Sequence, residues 1–139
     1  MQYFGYGSNM LASQMAERCP DSRPGHIGEL VGWRFLINER GVATITPDPD
    51  STVMGQLWKV GPGDIVALDE YEGVATGNYE RRVLDVVPEG HDPEPVIVYV
   101  DTRTNPGPPR EGYLEKILTG AAEFGLPEDY QEFLRSFQS

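Results

Sequence analysis

The sequence predicts a single domain in which strands and helices are mixed. Three observations carry this reading. The 139 residues suffice for one core and not for two ordinary domains. Several short runs are rich in β-branched and aromatic residues and end at Gly, Asn or Pro. Other segments repeat their apolar residues at the helical spacing.

In chain order, QYFGY reads as a short buried strand, and Gly7 with Ser8 as a turn. NMLASQMAERC follows as a helix with Ser8 or Asn9 at its N-cap, Leu11 and Met15 on its apolar face and Pro20 as its stop. HIGELVGWRFLINER and GVATITP read as two strands, and TVMGQLWKV as another. In GPGDIVALDEYEG the period changes: Ile65, Leu68 and Tyr71 fall at helical spacing and Gly73 is placed to end the helix. Glu72 therefore stands at a helix terminus. YERRVLDVV and PVIVYVD are strands joined by the turn-rich PEGHDPEP. TNPGPPREG is a rigid connection into two helices, YLEKILTGAAEFG and PEDYQEFLRSF, split at 125–127. No internal repeat and no low-complexity segment is visible.

With 22 acidic and 11 basic residues the formal charge is −11, so the average surface repels phosphate backbones and anionic lipid. Nucleic acid and membrane surfaces are thus not expected partners. No run reaches the roughly 18 apolar residues of a membrane span. A single cysteine, Cys19, and an N-terminal stretch without basic and apolar leader features point to the cytoplasm.

The chemistry available is restricted. GYGSNM lacks the third glycine of a dinucleotide fingerprint and the Lys-Ser or Lys-Thr of a phosphate loop. His26 and His91 stand apart from any second ligand at metal spacing, and Cys19 has no partner motif, so neither a metal nor a cysteine nucleophile is expected. What remains is carboxylates, hydroxyls and backbone. The LDEYEG cluster offers Asp69, Glu70 and Glu72, which as surface acids would merely be solvated. Burial near a helix C-terminus would raise the proton affinity of one of them and suit it to be a general base. At the opposite end of the chain, bare backbone at Gly5 and Gly7, a helix start and nearby tyrosines suit a carboxylate ligand.

YFGYGSNM, LDEYEGVATGNY, PPREGYLEKI and GAAEFGLPEDYQEFL, in this order and across nearly the whole chain, resemble the γ-glutamylcyclotransferase family, in its animal cytosolic branch. The resemblance implies an α+β fold for 1–139, a small mixed β-barrel-like sheet flanked by helices. It implies no cofactor, a small γ-glutamyl substrate and a monomer or homodimer. It carries the catalytic acid/base onto Glu72 and the glutamyl-binding loop onto Tyr3, Phe4, Gly5, Tyr6, Gly7 and Ser8, with Asn9 completing the motif. Tyr79 and Tyr113 match aromatic positions that line the cavity. Gly5, where the animal enzyme has Ala, and shorter ends are the departures.

The implied reaction needs no protein nucleophile, because the substrate's α-amino group attacks its own γ-carbonyl and releases 5-oxoproline and an amino acid. Holding that conformer is worth roughly 7–11 kcal/mol of barrier. Two alternatives stay open: a γ-glutamylamine or γ-glutamyl-protected intermediate as substrate, and a non-catalytic ligand-binding protein of the same fold.

Overall fold

The computed structural model describes residues 1–138. Five strands close into a barrel in the order β1-β3-β2-β4-β5. They are β1 (Gln2–Gly5), β2 (Arg23–Ile37), β3 (Ala43–Lys59), β4 (Glu80–Pro88) and β5 (Glu94–Val100). All pairs are antiparallel except the closing one, β1 with β5, which meets at Tyr3 and Ile97. The α+β barrel flanked by helices expected above is the fold observed.

Helices α1 (Ala12–Arg18), α2 (Pro62–Tyr71), α3 (Tyr113–Glu123) and α4 (Glu128–Arg135) pack outside it. Period-two alternation along β1 and β5 feeds two cores. Phe4, Val96, Val98 and Val100 join the barrel core covered by α3 and α4. Their neighbours Tyr3, Ile97 and Tyr99 point into a second cluster with Met15, Cys19 and Leu68 from α1 and α2.

Two expectations are corrected. GVATITP and TVMGQLWKV form one 17-residue strand, β3, rather than two. Between the pairs Val31–Thr52 and Trp33–Pro47 a single residue of β2, Gly32 (φ +87°), faces four of β3, so residues 48–51 bow out of β3 as a bulge and the ladder continues on either side. Asp48 holds the bow by accepting bonds from Asp50 N–H (3.0 Å) and the Ser51 hydroxyl (2.8 Å). The helix expected from Asn9 is likewise broken. Ser8–Met10 make a single 3₁₀ turn, Leu11 is extended, and α1 starts at Ala12 with neither Ser8 nor Asn9 capping it. Those two side chains are engaged elsewhere, as shown below.

Helix α2 begins at Pro62, with Gly61 N–H bonded to Asp64 Oδ2 (3.0 Å), and runs out at Glu72, whose N–H still reaches Leu68 O (2.8 Å). Gly73, at φ +64°, turns the chain away, as the sequence indicates. On the other side of the barrel mouth, α3 presses on the 3₁₀ turn. A methyl at Gly120 would lie 2.6 Å from the Met10 carbonyl carbon and 2.7 Å from Leu11 N.

Gly120→Ala is therefore expected to lower stability by about 1–3 kcal/mol despite alanine's better helix propensity. Gly63→Ala, where a methyl meets nothing within 4 Å, should be neutral or slightly stabilising. Urea midpoints of the two variants check the contrast.

Candidate active site

Where β1 ends, the chain crosses the barrel mouth as Tyr6-Gly7-Ser8-Asn9. The end of α2, the β2–β3 hairpin tip and the start of α3 meet it there. Together they enclose a cavity of about 230 Å³. Tyr3, Tyr6, Gly7, Ser8, Asn9, Glu72, Tyr79 and Tyr113 all line it, so the structure brings together residues up to 110 positions apart. Phe4 and Gly5 do not line it. The Phe4 ring is fully buried in the barrel core, and a Cβ on Gly5 would meet the Asn9 carbonyl oxygen at 2.9 Å and Trp58 Nε1 at 3.2 Å. What approaches Gly5 is the protein's own turn.

Of the three acids in LDEYEG, Glu72 alone lines the cavity. Glu70 is exposed, and Asp69 accepts from the Tyr99 hydroxyl (2.7 Å) and pairs with Arg81 (2.7 Å). Desolvation pushes the Glu72 carboxyl up to about 7, against the opposing pull of the Arg18 and Arg40 guanidinium groups. Neither arginine forms an ion pair with it.

Asn9 organises this corner. Its buried side-chain Nδ2 donates to the Tyr3 hydroxyl (2.9 Å) and, more loosely, to Glu72 Oε1 (3.4 Å). Its Oδ1 accepts from Gln14 Nε2 (2.9 Å) and Arg18 Nη1 (3.1 Å), which fixes the orientation of the amide. Gln14 Nε2 also donates to the Ser8 hydroxyl (2.8 Å), and Trp58 Nε1 donates to the Asn9 carbonyl (3.0 Å). These contacts explain why Ser8 and Asn9 do not cap a helix.

The tyrosine hydroxyls divide by what they bond. Tyr6 donates to Tyr99 O (2.5 Å) and Tyr79 to Ala43 O (2.7 Å), so both are committed to backbone. Tyr3 accepts from Asn9 Nδ2 and Tyr113 from Ala43 N–H (3.0 Å), which leaves each its own proton to donate, and the Tyr113 hydroxyl lies where a Gly7 Cβ would come within 3.2 Å. Burial pushes the Tyr113 hydroxyl up to about 12, so it stays protonated at neutral pH.

Reading residues in isolation missed Gln14, Arg18, Arg40, Arg110 and Lys116, all on the cavity wall. The available signal was charge: four of only 11 basic residues converge here in a chain of net charge −11. Two other residues need comment. The His26 and His91 rings, read as separate, lie 4.6 Å apart on the exposed surface. No group of three His, Cys, Asp or Glu among the described residues is placed to hold a metal ion. Cys19 is fully buried, and desolvation pushes its thiol up to about 11, as suits an unreactive core residue.

A model of the AIG2-like family matches residues 52–134. The γ-glutamylcyclotransferase of Mus musculus is 31% identical over 148 residues, covering 98% of this chain and 78% of the mouse protein. That of Homo sapiens is 30% identical, with the same coverage of each. A solved structure described as a γ-glutamyl cyclotransferase superposes with a TM-score of 0.91 at 30% identity, over 97% of this chain and 86% of the other. YkqA from Bacillus subtilis shares the fold at 22% identity (TM-score 0.83), covering 99% of this chain and 54% of that one. With its sequence likeness and its barrel agreeing from end to end, this chain belongs to the γ-glutamylcyclotransferase family.

Proposed function

We propose that this chain is a γ-glutamylcyclotransferase that releases 5-oxoproline and a free amino acid from γ-glutamyl dipeptides, with Glu72 as general acid/base. The observation that carries the reading is the position of Glu72. A desolvated carboxyl with a proton affinity near neutrality faces the Tyr-Gly-Ser-Asn turn, with no ion pair to hold it charged.

The chemistry follows from proton supply. Ionised Glu72 takes a proton from the substrate α-ammonium, and the freed amine attacks the γ-carbonyl carbon. A carbon–nitrogen bond of the five-membered ring forms as the amide carbon–nitrogen bond breaks, and the first proton passes from Glu72 to the departing amine nitrogen; the second proton, which the ring nitrogen sheds on becoming the lactam N–H, follows the same route through Glu72, so the amine leaves as its ammonium ion. A base near pKa 7 serves both transfers at neutral pH. Gly7 and Ser8 backbone N–H groups and the Tyr113 hydroxyl are the donors for the α-carboxylate and for the oxyanion that forms on the γ-carbonyl.

Incubation with several γ-glutamyl dipeptides and amines, with glutathione alongside, and detection of 5-oxoproline by mass spectrometry tests the activity. Glu72→Gln keeps shape and loses proton transfer, so turnover should fall by about 10²–10⁴ while binding is retained. Activity retained by that variant refutes the assignment.

The pH dependence has a definite sign. Glu72 must be ionised in the free enzyme, so kcat/KM should rise with pH and level off above about 7. The same raised proton affinity costs stability. The folded state favours protonated Glu72, an advantage present at low pH and lost as pH rises through about 7. Glu72→Gln should thus be more stable than the parent above pH 8, by on the order of 2–3 kcal/mol, and equal to it near pH 4. Urea unfolding at the two pH values measures this.

A further inference from the structure

Six bases among the described residues, Arg34, Arg40, Arg81, Arg82, Arg103 and Arg135, have a carboxylate partner. Five do not, and three of these, Arg18, Arg110 and Lys116, line the one cavity that holds Glu72. In a chain with twice as many acids as bases, unpaired cations gathered at one place mark where an anion is to be held. Their surroundings separate them. Arg18 is half-buried and spends Nη1 on Asn9, beside Glu72. Arg110 and Lys116 are exposed to solvent while lining the cavity, so they stand at its mouth.

Arg110 is held in place. Arg110 N–H donates to Gly41 O (3.0 Å), its Nε donates to Arg40 O (2.7 Å), and its own carbonyl accepts from Tyr113 N–H (3.0 Å). The guanidinium Nη groups have no hydrogen-bond or ion-pair partner among the described residues. Lys116 lies one helical turn beyond Tyr113 on α3 and touches Gln14 Oε1 only loosely (3.4 Å), which leaves two of its three protons uncommitted. Arg110, Tyr113 and Lys116 thus recur every third residue along one rim.

Resting on the reading of the reaction given above, we propose that Arg110 and Lys116 are specificity-determining residues that bind the carboxylate of the departing amino acid. A curled γ-glutamyl group already places an ammonium and one carboxylate deep in the site, near Glu72 and the 6–9 turn. The amide nitrogen that leaves must point away from them, toward the rim. A leaving group with an α-carboxylate meets the two cations there, and a simple amine leaving group presents nothing for them to bind.

The test compares γ-glutamylalanine with γ-glutamylalaninamide, which differ only in that carboxylate. Binding is measured by calorimetry on Glu72→Gln protein, so that no turnover intervenes, at physiological salt. The acid is expected to bind at least about tenfold more tightly than the amide. Lys116→Gln alone should reduce that preference by several-fold, and Arg110→Gln with Lys116→Gln should remove it while leaving the affinity for the amide unchanged. Arg23→Gln, an exposed base that does not line the cavity, controls for net charge and should keep the preference. The proposal is overturned if the parent shows no preference, if Lys116→Gln leaves it intact, if both ligands weaken equally, or if neither binds. A parallel turnover assay separates the two readings: a preference lost in the variants without any 5-oxoproline from the Glu72 protein upholds the rim and refutes the cyclotransferase.

Discussion

The Glu72 carboxyl is kept desolvated beside the 6–9 turn without a salt bridge, and the corner around it accounts for both facts. The nearest cation on this side, Arg18, is not bonded to Glu72 but to Asn9 Oδ1, and the Asn9 amide reaches Glu72 with its other end. A neutral amide between the two charges passes on orientation and little charge. A direct Arg18–Glu72 contact would instead hold the carboxyl ionised and depress its proton affinity. The same amide ties the end of β1, through Tyr3, to α1, through Gln14 and Arg18.

Seen from a distance, the molecule is an acidic surface with a basic pocket. The long-range field is unfavourable to anions, and it is opposed only at short range, where four cations gather around one cavity. Arg40 is the member already compensated, by the fully buried Asp101 at 2.6 Å, which Arg103 also binds. Its ordered backbone in turn carries Arg110. The hairpin tip is therefore a support for the rim rather than a free loop: Ala43, at its base, gives both its N–H and its carbonyl to the cavity tyrosines Tyr113 and Tyr79.

The barrel makes this assembly stiff. Closing β5 onto β1 by a single parallel contact puts the shortest strand between two longer ones, with one face in each core. The chain that leaves β1 at Gly5 is then trapped between Trp58 on one side and α3 on the other. Gly120 allows that approach at the second surface, and Gly5 at the first. The site loop is positioned by packing on backbone, a stronger restraint than any helix cap at Ser8 would have supplied.

The elements themselves were largely legible in order and type, because local signals decide them: alternation in YERRVLDVV and PVIVYVD, helical spacing in GPGDIVALDEYEG, and Gly73 as a stop at a position that adopts positive φ. So was the arrival of Glu72 at a helix end. The Pro47–Asp50 stretch reads in the sequence as a break between strands, whereas in the fold residues 48–51 bow out of β3 opposite Gly32 of β2, far earlier in the chain, and the ladder resumes beyond them. Ser8 and Asn9 look like caps in the sequence because their hydrogen-bond partners, Gln14, Arg18, Tyr3 and Glu72, become neighbours only in the folded chain. Local sequence determined which segments are strands and helices, since backbone preferences and side-chain period act over a few residues. Tertiary structure alone decided which acid is desolvated, which tyrosines keep a spare proton and which cations face the cavity, since each depends on atoms brought together from distant parts of the chain.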